Sequence, residues 1–408
     1  MQFDPTRLQK YVKKTDRTHP LFFTGRAHEM AIAQRSLDNL KDGDTEGNTV
    51  IFQGAPGAGK TALLNHIKAN IRDKCDTATL RAPLIESPGV ALFDVFEQLD
   101  PERAEQAKTE HRATKQGGVD LKVVGGEIGV SSLSVPEDIK TVQQLMGLRQ
   151  SDKPLVLFLD EAQNAVGDLS NGRSSVLQTL HEGGVGNIFL VAGGLSGTSA
   201  KLRTLGVSRL ASENKRTLQP LHEDEIVASL EAFLNNKDFG IDSSGYDIAP
   251  LKRLVVDECM GWPQHLTNTL RSLGEELIGT DGQLGACDLN AIQQRSEALR
   301  AEYYLGRTEG IPSPLLRELI NTVPENGGVD PFEIYKMIER AYADEPRLEK
   351  MLPSDDAYEE LVRRGVVQED ASGNLTIPIP SMRSYIEQRV KVQEDQEGAP
   401  SGGAYHER

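Results

Sequence analysis

Short apolar runs recur along the first half of the chain, at Thr49–Phe52, Ala78–Leu80, Leu155–Leu159, Ile188–Ala192 and Thr217–Leu218, with longer stretches of helical spacing between them. Continuous apolar runs mark strands buried on both faces, and strands that alternate with helices predict βαβ units and a parallel sheet. The expected fold class of residues 21–220 is α/β, a parallel sheet with helices on both faces. After Pro220 the strands stop. Glu223–Asn235, Pro250–Met260, Pro263–Ile278 and Leu289–Tyr304 keep a helical period and predict a compact helical domain over 221–305. Further helices are expected at Pro314–Thr322, Pro331–Tyr342 and Asp355–Arg364. They are followed by Gly365-Val366-Val367, a turn at Asp370–Asn374, an apolar run at Leu375–Ile379 and a helix from near Ser381. Three helices, a short hairpin and a closing helix predict a winged-helix domain over 311–392.

Three stretches lack a core pattern. Residues 1–20 are polar and basic, with Lys10, Lys13, Lys14 and Arg17, and read as an N-terminal arm. An insert at 101–140 is polar at first and then alternates as VDLKVVGGEIGVSSLSV, which suggests a β-hairpin or a mobile loop. The tail at 393–408 is poor in apolar residues and is expected to be disordered.

A chain of 408 residues suggests about two to three domains. The formal charge of −16 argues against a general nucleic-acid-binding coat, so any DNA contact has to come from a local patch. The cysteines, Cys75, Cys259 and Cys287, form no CxxC pair, which fits a reducing compartment and speaks against a zinc ribbon. The eight histidines are scattered, and His181-Glu182 lacks the second histidine of a zincin helix. No apolar run is long enough to span a bilayer, and the first residues lack the apolar segment of a signal peptide. A cytoplasmic location with no membrane partner is the expectation.

Residues 54–61 read GAPGAGKT and match G-x-x-x-x-G-K-[ST]. The strand before this loop and the helix after it are both in place. Gly54, Ala55, Pro56, Gly57, Ala58, Gly59, Lys60, Thr61 and Ala62 are therefore the candidate phosphate cradle. Gly57 and Gly59 permit the loop's torsions, the helix N-terminus faces the anion, Lys60 reaches the outer phosphates and Thr61 offers a hydroxyl to Mg²⁺. The expected cofactors are ATP and Mg²⁺. A dinucleotide reading, G-x-G-x-x-A at 57–62 with Asp76 as the ribose acid, has no use for Lys-Thr and does not predict the next motif.

That motif is Leu155–Leu159 followed by Asp160 and Glu161. In an open α/β sheet, ligands bind at the carboxyl ends of strands. Asp160 is the candidate partner of Mg²⁺ beside Thr61, and Glu161 is the candidate base that polarises water.

A P-loop with a terminal Asp-Glu resembles the AAA+ ATPases. Phe23-Thr24-Gly25-Arg26-Ala27-His28-Glu29 is similar to the segment ahead of the P-loop in origin-recognition-type AAA+ proteins and related signalling ATPases, which implies that Gly25 and Arg26 lie near adenine. Ser208-Arg209 with Leu218-Gln219-Pro220-Leu221 resembles the segment that carries an arginine finger, which implies that Arg209 acts across subunits of a homo-oligomer or an AAA+ partner. By the same resemblance residues 221–305 are the lid, and the winged helix after it matches archaeal initiators. The resemblance covers about residues 21–390 and implies ATP hydrolysis, which the weakened sensor at Gln264 would make slow or turn into a nucleotide switch.

The chain departs from the family pattern at its sensors. The lid motif reads Gly261-Trp262-Pro263-Gln264, so Gln264 stands where an arginine is usual; Arg271 is an alternative. At the end of the fourth strand, Ser196 and Thr198 are both candidates to orient water. Gly194–Thr198 half-resembles a nucleophile elbow, but Thr198 occupies the position that requires glycine. The best DNA-contact candidates are Arg363, Arg364 and Arg383, with Lys115 and Lys122 of the insert, although acids are interleaved throughout. Two functions follow. One is an ATPase that controls assembly or conformation on DNA. The other is a nucleotide-dependent signalling switch whose winged helix binds protein.

Overall fold

A computed structural model describes residues 3–14, 22–41, 48–117, 139, 141–166, 175–182, 187–207, 210, 212–370, 372–379 and 381–398. The chain forms two compact units, one of residues 26–53 and 60–216 and one of residues 1–25, 54–59 and 217–408.

The chain opens with α1 (Pro5–Lys13), capped by the Asp4 carboxylate, which accepts from the Thr6 and Arg7 amides. The sequence reading of 1–20 as an arm needs correction. Leu8 is fully buried and Val12 nearly so, in the helical unit. Leu8 and Val12, four apart, and Tyr11, whose ring meets Phe233 and Phe239, make a narrow stripe that docks this basic helix.

The sheet unit begins with α2 (Ala27–Lys41) and β1 (Thr49–Gln53), then α3 (Lys60–Ile71), β2 (Asp76–Thr79), α4 (Pro88–Leu99) and α5 (Pro101–Gly117). After these come α6 (Val142–Leu148), β3 (Leu155–Leu159), α7 (Val176–Glu182), β4 (Ile188–Gly194), α8 (Thr198–Thr204) and β5 (Lys215–Thr217). The strand order is β2-β3-β4-β1-β5, with the β2–β3, β3–β4 and β4–β1 pairings parallel. Every residue of β1, β3 and β4 is buried, as their unbroken apolar runs require. The first part of the insert is not a loop. Residues 101–117 form a helix whose Ala104 and Ala107 enter the core, while Arg103 and Lys108 lie over the rings of Phe96 and Phe93. Its apolar face is built from alanines and from the aliphatic stems of charged residues, which a hydropathy pattern does not display. The glycine-rich alternation after it lies outside the described residues.

The helical unit continues with α9 (Glu223–Leu234), α10 (Ala249–Cys259), α11 (Pro263–Gly279) and α12 (Leu289–Thr308). Leu230, Phe233, Leu251, Val255, Leu270, Leu273, Leu277 and Ile292 form its core together with Leu8. Next come α13 (Ser313–Thr322), α14 (Pro331–Asp344), α15 (Ser354–Arg363), the antiparallel pair β6 (Gln368–Glu369) and β7 (Leu375–Thr376), and α16 (Met382–Gly398). Val329 adds a bridge to Leu375 at the outer edge of the pair. The helix α16 runs to Gly398, so the start of the expected tail is helical; the rest of the tail lies outside the described residues. Among the described residues, no helix is long and apolar enough to cross a membrane.

Candidate functional site

In the sheet unit, β3 and β1 are separated by β4, so an acid at the end of β3 has to reach past the end of β4. The strand register sets Leu159 beside Ala192 and Phe52 beside Gly193. Gly193 has no side chain there; a Cβ would stand 3.2 Å from Asp160 Oδ1. Across this gap, the Thr61 hydroxyl donates to Asp160 Oδ2 at 2.6 Å. The other carboxylate oxygen of Asp160 accepts the Glu161 amide at 2.9 Å. Two sequence candidates 99 residues apart are thus one pair. A hydroxyl and a carboxylate side by side are hard oxygen donors of the kind Mg²⁺ takes, so this pair fits the ion. Lys60, the residue before Thr61, is buried, and Ala62 is half-buried beside it in α3.

Glu161 is exposed and has φ +49° and ψ +42°, a left-handed conformation that is uncommon for glutamate. Its Oε2 accepts from Gln163 Nε2 at 2.5 Å. Gln163 Oε1 in turn accepts the Leu195 amide at 3.0 Å. Sequence reasoning passed over Gln163. The signal available to it was a polar residue two positions after the terminal Asp-Glu. Thr198 is fully buried and donates to the Leu195 carbonyl at 2.6 Å, so its hydroxyl is occupied in fixing the end of β4. Ser196 is half-buried just beyond that end. Arg26 is buried at φ +63°, with Glu29 at 3.8 Å.

The loop residues 54–59 lie in the helical unit, where several side chains hold them. Gly57 and Gly59 take φ of +85° and +90°, the left-handed torsions expected of them. A Cβ on Gly57 would come within 2.7 Å of the Tyr303 hydroxyl, 2.9 Å of Trp262 Nε1 and 3.0 Å of Gln264 Cβ. Gln264 is therefore beside the loop, and its amide donates to Asn268 Oδ1 at 3.2 Å. Arg271 instead faces Glu275 at 3.4 Å. Tyr303 donates to the Pro56 carbonyl at 2.5 Å, and the Ala55 amide donates to Gln368 Oε1 on β6. Gly54 and Ala58 are buried within the loop, where the Ala58 amide donates to the Ala55 carbonyl at 3.1 Å. Neither Tyr303 nor Gln368 carries a sequence signal, because each reaches the loop from a distant helix or hairpin. Gly25, at φ +73°, packs on the Glu225 carboxylate.

The nominated DNA-contact arginines are engaged within their own unit. Arg363 makes a fork to Glu360 at 2.7 and 2.6 Å. Arg364 donates to the same carboxylate at 2.5 Å and to the Gly306 carbonyl at 3.0 Å. Arg383 donates to the carbonyls of Ile320 and Val323 at 2.5 and 2.6 Å. Lys122, Ser208 and Arg209 lie outside the described residues. Among the described residues, no cluster of His, Cys, Asp and Glu has metal-binding spacing.

Residues 23–192 match the family model of the AAA ATPase domain. No curated protein matches the chain significantly. Among solved structures, the chain is similar to a Walker-type ATPase of Pyrococcus abyssi, at 14% identity and a TM-score of 0.53 over 92% of this chain and 99% of that one. It is also similar to the ORC2 protein of Aeropyrum pernix in its ADP form, at 13% identity and a TM-score of 0.50 over 94% and 98% of the two chains. At such identities the likeness concerns the fold. The family likeness is thus carried by residues 23–192, which match the AAA ATPase domain, in a chain whose fold is similar to that of the Aeropyrum pernix ORC2 protein.

Proposed function

We propose that this protein binds Mg²⁺ and ATP and hydrolyses ATP to control its own assembly or conformation. The observation that carries the reading is the Thr61–Asp160 pair at 2.6 Å, next to a glutamate at the carboxyl end of the same strand. The P-loop amides and Lys60 would bind the phosphates, and Gly25 and Arg26 would lie near the base. Thr61 and Asp160 would hold Mg²⁺, which when bound supplies charge neutralisation at the outer phosphates. Glu161 takes a proton from water; the water oxygen bonds to the terminal phosphorus as the bridge to ADP breaks. Ser196 is the polar group nearest in sequence to the end of β4, and Gln264 stands beside the loop in place of a sensor arginine. A neutral amide gives no charge-assisted bond to phosphate, which favours slow turnover. Arg209 is proposed to complete the site of a neighbouring subunit.

Lys60→Ala removes the cation of the loop, and equilibrium binding of labelled ATP should be strongly reduced. Undiminished binding by a folded variant would overturn the assignment.

A second observation bears on the partner. We read residues 311–392 as a winged helix, and this segment holds ten Lys and Arg against fifteen Asp and Glu. Its helix α15 begins with acids, and Arg363 and Arg364 are tied to Glu360. A surface with more acids than bases, whose nominated arginines already have partners, attracts phosphate weakly, which favours a protein partner over DNA. Retention on DNA with ATP at low salt, lost in an Arg363→Ala, Arg364→Ala variant, would restore the DNA reading.

A further inference from the structure

The Gln163 side chain joins two points that the reaction assigned above needs to keep in register. Its Nε2 donates to Glu161 Oε2 at 2.5 Å, and its Oε1 accepts the Leu195 amide at 3.0 Å. The orientation of the amide follows from its partners. The carboxylate can only accept and the backbone amide can only donate, so the reversed amide would face a like group at both ends. The far anchor is itself fixed, because the Leu195 carbonyl accepts from the Thr198 amide at 3.1 Å and the Thr198 hydroxyl at 2.6 Å. Room for the bridge comes from Gly194, where a Cβ would stand 2.8 Å from Gln163 Oε1. At the near end, the Glu161 backbone is already held by its amide bond to Asp160 at 2.9 Å. An exposed glutamate side chain normally samples several rotamers, and ordering it costs conformational entropy. Gln163 meets that cost in advance and leaves the second carboxylate oxygen for water.

We propose that Gln163 is a positioning residue for Glu161, tying the base to the end of β4. The proposal rests on the reading of Glu161 as the general base. Its two bonds can be separated by substitution. Gln163→Met keeps the length and loses both bonds. Gln163→Glu keeps an acceptor for the Leu195 amide but presents a carboxylate to Glu161. A residue that merely supports the end of β4 would tolerate glutamate; one that positions the base would not.

The test is steady-state ATP hydrolysis by the full chain with kcat and KM resolved, alongside equilibrium binding of labelled ATP. Both Gln163 variants should lower kcat by roughly 10- to 100-fold, the scale of a misplaced catalytic group. KM and the ATP dissociation constant should stay within about twofold, since the phosphate cradle is untouched. In a Glu161→Gln background, Gln163→Met should bring little further loss, because the two residues act as one unit. Wild-type kcat in Gln163→Glu, or an equal further loss on top of Glu161→Gln, would overturn the positioning role and leave the base reading intact. Wild-type turnover by Glu161→Gln itself would remove the base, and this proposal with it.

Discussion

Tyr303 donates its hydroxyl proton to the carbonyl of Pro56 at 2.5 Å and lies 3.4 Å from the Trp262 indole nitrogen, so a helix near residue 300 holds the middle of the P-loop. Gln368 holds the Ala55 amide of the same loop. The loop is thus supported by residues that contribute nothing to its sequence motif. Tyr303→Phe removes one bond and leaves the ring. A net hydrogen bond is worth about 1 kcal/mol, so ATP and ADP should each bind roughly fivefold more weakly. Calorimetric titration of the variant with either nucleotide checks this; unchanged affinity would mean that the loop keeps its shape without the tyrosine.

Glu161→Gln keeps the shape of the side chain and removes its basicity, while the Thr61–Asp160 pair at 2.6 Å is untouched. ATP occupancy should persist and turnover should collapse. Rapid filtration with labelled ATP, compared with phosphate release, separates the two.

The burial of Leu8 makes α1 part of the helical core. Leu8→Ala should lower stability by about 2–5 kcal/mol, the usual cost of emptying a buried leucine site. Chemical denaturation followed by circular dichroism measures it. A change near zero would mean that the N-terminal helix is the arm its composition suggests.

His265 lies edge-on to Tyr303 and Tyr304 and is almost completely buried. Burial, with the Arg300 charge adding to it, pushes its ring down to about 4 from 6.5. The unfolded chain takes up a proton below about 6.5 and the folded chain only near 4. Stability should therefore fall as pH drops through that window and level off below it, by about 3 kcal/mol in all. Nearby Glu258 is raised by burial and works in the opposite sense, so the clean measure is the difference between His265→Leu and wild type at each pH. That difference should shift in favour of the leucine variant as the pH falls; a constant offset from pH 7 to 4 would contradict the assignment.

The sequence by itself determined the parallel sheet, its strands and the loop chemistry. Val50-Ile51-Phe52 and Leu155–Leu159 are apolar without interruption, because a strand covered on both faces admits nothing else. GAPGAGKT was legible because local torsion and phosphate geometry constrain neighbours in the chain. Periodicity also marked α9 through α15.

Only the tertiary structure decided the rest. The helix α5 hides its packing face in alanines and in the stems of charged residues, and α1 docks by a stripe of Leu8, Tyr11 and Val12. Arg363, Arg364 and Arg383 look like free cations in the sequence, but Glu360 and backbone carbonyls meet them in the fold. The supports of the site, Gln163, Tyr303 and Gln368, act through single hydrogen bonds that depend on distance in space. Such a bond asks of a residue only that it reach, and reach is set by how helices and strands pack, which leaves no period in the chain.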